Sequence, residues 1–228
     1  GNTTGAVNAA TVTTLTGTAA TANTAYASSG ISGLGNEAVT LTDTAGVALT
    51  LHTLDSNTTG SVDASTVTSV TGVSPTVITI YNSNGISGLG NEAITLTGDT
   101  TVSNTNTVAA LTSGVVTATI SEGDMSTLAG LTETGNAYTV TITDSSVASS
   151  ALNTLDGKTT VAVNAAAVTT LTGLAADANT AYASGGISGL GNEAVTLSDT
   201  SLATTVLNTL DGNTSGVVNA ATVTTLTC

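Results

Sequence analysis

Residues 1 to 17, GNTTGAVNAATVTTLTG, return with few changes at 56 to 72, at 157 to 173 and at 212 to 228. GISGLGNEA begins at Gly30 and again at Gly85 and Gly186. The interval from the first copy of the long repeat to the second equals the interval from the third to the fourth. A fixed period of this kind means that each unit buries its apolar face against its neighbours, so the chain must stack in one dimension. Length then sets no domain boundary, and residues 1–228 read as a single continuous solenoid with an irregular stretch at about 100–150. Both ends fall within ordinary repeats, as expected of a section of a longer array.

The composition fits thin coils. There is no Phe or Trp and only Tyr26, Tyr81, Tyr138 and Tyr182. A globular core is hard to fill without large aromatics, whereas stacked coils need small and β-branched residues. Lys158 is the sole basic residue against 15 carboxylates, giving a formal net charge of -14. That field disfavours nucleic acid and anionic lipid. No apolar run is long enough to span a membrane, so no membrane insertion is expected. The acidic, nearly Cys-free composition suits an extracellular or cell-surface setting.

A finer motif runs beneath the long period. An aliphatic residue, two further residues, usually Leu, one more residue and then Gly, Asn, Ser or Cys recur at VTTLTG from Val12, ISGLGN from Ile31 and LHTLDS from Leu51. Further copies begin at Val67, Ile86, Val108, Met125, Leu152, Val168, Ile187, Leu207 and Val223. Twelve copies predict about twelve coils. Alternating segments such as Val39-Thr-Leu41-Thr, Ile78-Thr-Ile80-Tyr, Ile94-Thr-Leu96-Thr, Val140-Thr-Ile142-Thr and Val195-Thr-Leu197-Ser predict strands with one buried face. One inward residue per strand gives two step lengths, a short one as from Val7 to Asn23 and Asn23 to Val39, and a longer one as from Val39 to Val62. Asn179 fills the slot of Asn23 in the later copy.

In the longer coils, Val147, Ala148, Ala151, Leu152 and Leu155, like Leu202, Val206, Leu207 and Leu210, share one helical face. Asp144 and Asp199 stand just before these segments, where a carboxylate can cap a first turn. The expected fold is an α/β solenoid: a parallel β-sheet on one side and short helices or helical turns on the other, in a leucine-rich-repeat-like architecture. The rival is an all-β parallel solenoid.

No residue pattern points to catalysis. His52 fills a slot held by Asn153 and Asn208 in equivalent coils, and no GxSxG, phosphate loop or HExxH occurs. The expectation is therefore no enzyme, no catalytic residue and no required cofactor. The carboxylates do recur, at Glu37, Glu92 and Glu193, at Asp43, Asp144 and Asp199, and at Asp55, Asp156 and Asp211. Calcium takes about six to eight oxygens at one point. Equivalent positions in the regular parts return only every third predicted coil, roughly 14 Å apart at the strand spacing. Glu122, Asp124 and Asp144, the densest acidic group of the irregular middle, remain as weak calcium candidates. Outward pairs such as Thr40 and Thr42, or Thr95 and Thr97, form a second repeated surface that an ice lattice could match. Cys228 replaces the Gly of the other copies and is a candidate for linking copies end to end.

The runs GNEAVTLSDTSLATTVLNTLDGNTSGVVNAATVTTLT and TVTTLTGLAADANTAYASGGISGLGNEAVTL resemble the giant Thr-rich tandem-repeat proteins predicted from marine cyanobacterial genomes. The resemblance is weaker over residues 100 to 136 and carries no catalytic residue to transfer. It implies a secreted or cell-surface protein. The functional expectation is a non-enzymatic structural repeat module of an extracellular or cell-surface filament, coat or adhesin, self-associating end to end. The alternative is a module that binds calcium, a glycan or ice through a repeated face.

Overall fold

A computed structural model describes residues 5–228. They form an α/β structure with parallel strand pairing and eight helices among the described residues. The helices are α1 (Ala19–Tyr26), α2 (Ala48–Asn57), α3 (Ser74–Tyr81), α4 (Val102–Ala109), α5 (Met125–Leu128), α6 (Ser149–Asp156), α7 (Ala175–Ala183) and α8 (Thr204–Asn213). Helices set the fold apart from an all-β solenoid. Contacts group the chain into two compact units, Gly1–Thr100 with Thr107–Thr117 and Thr101–Asn106 with Ala118–Cys228.

In the first unit, Leu15 pairs with Val39, Val39 with Val62 and Val62 with Ile86, in nearly equal steps along the chain. A second ladder joins Gly46 to Val70 and Val70 to Ile94 at the same interval. Helix α1 packs on α2 and α2 on α3. Between strands and helices lie Leu51, Leu54, Val62, Val70, Val77 and Ile94, all fully buried.

The second unit repeats the arrangement. Val147 pairs with Leu171, Leu171 with Val195 and Val195 with Val218, while α6 packs on α7 and α7 on α8. Its core holds Leu128, Ile142, Leu152, Val163, Leu171 and Leu210. Within each unit the structural step is thus one coil carrying strand, strand and helix, as long as the stretch from Val147 to Leu171.

The shorter steps expected from the sequence, and the count of about twelve coils built on them, do not appear in this pairing. Asn23, Ile78 and Asn179, read from the sequence as strand residues, lie on α1, α3 and α7. The reason is visible at α3. Pro75 sits in its first turn, and Val77 and Ile80, three residues apart, are both buried against the ladder. Packing on one helical face overrides the β-propensity of Val-Ile-Thr-Ile. On α1 and α7 the Asn side chains face helix neighbours instead. Asn23 Nδ2 donates to Thr50 O at 3.0 Å and Asn179 Nδ2 to Val206 O at 3.1 Å.

Hydroxyl groups fasten one coil to the previous one. Thr68 Oγ1 donates to Thr44 O, Thr169 Oγ1 to Ser145 O and Thr224 Oγ1 to Thr200 O, at 3.0, 3.0 and 3.2 Å. Ser87 and Ser188 donate in the same way to Val62 O and Val163 O. Threonine abundance is therefore more than a wet-face preference, because it supplies side-chain bonds across the coil step.

Candidate functional site

The repeated carboxylates are the chain's most distinctive chemistry, and the fold puts each class to a different use. Glu37, Glu92 and Glu193 are fully buried. Each follows a Gly-Leu-Gly-Asn turn whose two glycines have positive φ, Gly33 at 84° and Gly35 at 142° in the first copy. The turn aims two successive N–H groups back at the Glu side chain. Glu37 Oε2 accepts from Gly35 N at 2.8 Å, Asn36 N at 3.2 Å and the Tyr26 hydroxyl at 3.0 Å. Glu92 Oε2 accepts from Gly90, Asn91 and Tyr81, and Glu193 Oε2 from Gly191, Asn192 and Tyr182. In all three, Oε1 is buried without a hydrogen-bond partner.

The next coil closes over this pair. Thr58 Oγ1 donates to Glu37 O at 2.7 Å and accepts from Gly60 N at 3.0 Å. Thr112 and Thr214 do the same for Glu92 and Glu193. A side chain at Gly60, Gly114 or Gly216 would overlap the Glu carbonyl, so only glycine permits this approach.

Charge and burial act together on these groups. Burial pushes the Glu37 carboxyl up, but the Gly35 and Glu37 N–H groups, the Tyr26 hydroxyl and the Asn36 N–H outweigh it and hold the group below its usual value. Burial raises Tyr26, with the Thr58 hydroxyl opposing and Glu37 adding to the rise. Tyr81 is raised by burial and then by Glu92. Tyr182 is pushed up to about 12 by burial, against Thr214 and reinforced by Glu193.

One layer departs from the pattern. Tyr138 occupies the Glu position, as far before Asp144 as Glu37 is before Asp43, and Thr127 stands where the other layers have the helix tyrosine. Tyr138 is fully buried, and Thr159 Oγ1 donates to its carbonyl at 2.7 Å as Thr58 does to that of Glu37. The carboxylate and its helix tyrosine are replaced together, so each of these layers keeps one tyrosine.

The second class caps helices across the coil step. Asp43 Oδ2 accepts from Ala19 N at 2.7 Å, Asp144 Oδ2 from Met125 N at 2.6 Å and Asp199 Oδ2 from Ala175 N at 2.8 Å. Asp144 and Asp199 therefore cap α5 and α7 in the preceding coil, rather than the helices that follow them. Helices α6 and α8 start after strands at Ala148 and Ala203 with no side-chain cap. The third class joins helix ends. Asp55 Oδ2 accepts from Ser83 Oγ and Asp156 Oδ2 from Ser184 Oγ, both at 2.7 Å.

The calcium candidates have the same kind of employment. Glu122 accepts from Val102 N at 3.1 and 3.3 Å, Asp124 accepts from the Thr127 N–H and hydroxyl at 2.9 and 2.8 Å, and Asp144 holds Met125. Asp124 and Asp144 meet at the start of α5, whereas Glu122 turns to the start of α4. Among the described residues no three His, Cys, Asp or Glu side chains gather where they could hold one metal ion. His52 lies on α2 at the position of Asn153, whose Nδ2 donates to Asp177 O at 2.9 Å.

The outward threonines form short rows. Thr16 pairs with Thr40, but Thr40 then pairs with Asp63, and Thr196 pairs with Asn219. Asp63 and Asn219 accept from the N–H two residues on, so they shape turns at those positions. Cys228 is exposed and unpaired. Among the described residues no helix is long and apolar enough to cross a membrane.

The Tyr-x10-Glu spacing, repeated at 26/37, 81/92 and 182/193, was the sequence signal for the buried pairs. Comparison of the chain with family models, with curated proteins and with solved structures gives no match.

Proposed function

We propose that the chain is a non-enzymatic structural module: a continuous parallel α/β solenoid forming a section of an extracellular or cell-surface filament, coat or adhesin. Copies associate end to end, and the repeats supply length, stiffness and an acidic skin. The observation that supports this reading is the use made of the carboxylates. The three buried glutamates each bind a tyrosine and the turn beside it, and the recurring aspartates cap or join helices in adjacent coils. A catalytic group is normally unique and poised toward a cleft, with a pKa shifted for its task. Here the same geometry recurs, and its chemistry is spent on fixing a turn to a helix within each coil and on joining helices of adjacent coils.

The resemblance to cyanobacterial surface repeats and the Lys-poor, acidic composition favour an outer location. The test is antibody labelling of intact cells that produce the protein. Gold label on the unpermeabilised surface is expected. Label confined to the interior, seen only after permeabilisation, would contradict the reading.

A further inference from the structure

Asn84-Gly85 is the only Asn-Gly pair in the chain. It lies in the bend between α3 and the strand Ile86–Ser87, whose Ile86 pairs with Val62 of the preceding coil. In such a pair the backbone nitrogen attacks the side-chain amide with least hindrance, because glycine puts no Cβ in the way. Asn84 is exposed, and its side chain makes no hydrogen bond among the described residues.

The attacking nitrogen has a base within reach. Gly85 N donates to Ser83 Oγ at 3.0 Å, and Ser83 Oγ donates to Asp55 Oδ2 at 2.7 Å. A hydroxyl accepts and donates at once, so the two bonds form one path from the amide proton to a carboxylate. Asp55 comes from the last turns of α2, and it approaches so closely that a Cβ on Gly85 would overlap Asp55 Oδ1. Gly85 O is held as well, accepting from Val62 N at 2.7 Å. Coil stacking therefore fixes the nitrogen, the hydroxyl and the carboxylate, and leaves the Asn84 side chain to turn toward them.

The other copies separate these features. Gly186 N, Ser184 Oγ and Asp156 Oδ2 repeat the path at 3.0 and 2.7 Å, but Gly185 precedes Gly186 and offers no amide. In the first coil Gly30 N donates to Ser28 Oγ at 3.2 Å, and Ser29 precedes Gly30. The bend is thus built equally well without asparagine. Only at Asn84 do the side-chain amide and the path to a carboxylate meet.

We propose that Asn84-Gly85 is a self-modification site, at which the folded chain converts the asparagine to a cyclic imide and then to aspartate and isoaspartate. The Gly85 N–H proton passes to Ser83 Oγ as the Ser83 hydroxyl proton passes to Asp55. Gly85 N forms a bond to Asn84 Cγ, the proton held by Asp55 is returned to the departing Nδ2, and the Cγ–Nδ2 bond breaks to release ammonia. Water then opens the imide. Cleavage between Gly85 N and Cγ gives aspartate, and cleavage between Gly85 N and the Asn84 main-chain carbonyl carbon gives isoaspartate, which lengthens the backbone by a methylene. Neither route needs an oxidant, a reductant or a cofactor. Either product adds a carboxylate to the bend that Asp55 contacts, and isoaspartate also shifts the chain just before Ile86, where it pairs with Val62.

The test follows ammonia loss at Asn84 in the full chain by peptide mass mapping, with isoaspartate detected by its methyltransferase, at neutral pH both folded and in guanidinium chloride. The folded chain is expected to react at least about tenfold faster than the unfolded one, below the usual gain from a positioned acid–base group because the carboxylate acts through a hydroxyl. Ser83→Ala and Asp55→Asn, checked for folding by circular dichroism, should lose that advantage, Ser83→Thr should keep it, and Asn84→Ser should abolish the reaction. A merely structural role for Ser83 and Asp55 would move the rate the other way, since loosening the bend exposes Gly85 N to attack. Reaction no faster in the folded chain than in the unfolded, or undiminished in folded Ser83→Ala, overturns the proposal. Should neither variant fold, the folded and unfolded rates of the unsubstituted chain decide it alone.

Discussion

The Tyr81 hydroxyl donates to Glu92 Oε2 at 2.7 Å, the shortest of three equivalent bonds that join a half-buried helix tyrosine to a fully buried glutamate. A hydrogen bond to a charged group contributes about 1.5–3 kcal/mol, and removing one partner leaves the other buried and unpaired. Tyr81→Phe should lower stability by about 2 kcal/mol, read as a fall in the urea midpoint. Glu92→Gln should cost a similar amount, since an amide oxygen accepts less strongly from Gly90 and Asn91 than a carboxylate does. A midpoint unchanged in both variants would show that the pair carries no stability.

Acid should loosen the fold through Glu37. Its folded-state value lies below the ordinary carboxylate range, so between the two values the unfolded chain binds more protons. The associated stability is present above the unfolded value and is lost as pH falls through the folded one. Thermal melts from pH 7 downward should show stability decreasing below about pH 4, with a shallower slope in Glu37→Gln. An identical slope in the variant would remove Glu37 as the cause.

Alkali acts on the tyrosines with the opposite sign. Tyr182 and Tyr138 are both pushed up to about 12, the first by burial, with the Thr214 hydroxyl opposing and Glu193 reinforcing, the second by burial, with the Asn136 side chain opposing and the Glu133 charge reinforcing. A raised value means that stability is complete below the unfolded tyrosine value and is lost as pH rises through the folded one. Phenolate absorbance should therefore develop together with loss of helix signal between about pH 10 and 12. Ionisation that precedes loss of the helix signal would contradict this coupling.

Caps that reach across the coil step make helix starts depend on the following coil. Asp199→Ala removes the acceptor for Ala175 N and should cost about 1 kcal/mol. Hydrogen exchange in the first turn of α7 should accelerate, while the start of α8, whose first residues have no such cap, keeps its rate. Equal acceleration in both helices would indicate general loosening rather than loss of a cap.

Much of this fold can be read from the sequence, and the misreadings have a common physical source. The strands around Val39, Ile94 and Val195 and the helical faces of Leu152 and Leu155 follow from residue periodicity. Ile78 does not, because the alternation that suits a strand also places Val77 and Ile80 three residues apart on a helix, and only the neighbouring coil decides between them. The aspartate caps were legible as caps, but not their direction. Asp144 lies closer in sequence to α6 than to α5, and only the return of the chain after a full coil brings it to Met125. The buried role of Glu37, Glu92 and Glu193 was hidden because a repeated carboxylate in a Gly-rich turn also suits a cation.

The central claim is that coils of strand, strand and helix stack within each unit and that copies extend the stack. Electron microscopy of the purified chain at neutral pH, with the diffraction of any ordered material, tests it most directly. The account predicts fibres with a reflection at about 4.8 Å along the fibre axis, because strands in parallel ladders repeat at that spacing in the stacking direction. Dispersed particles at every concentration, or fibres whose strand spacing lies across the axis, would contradict it.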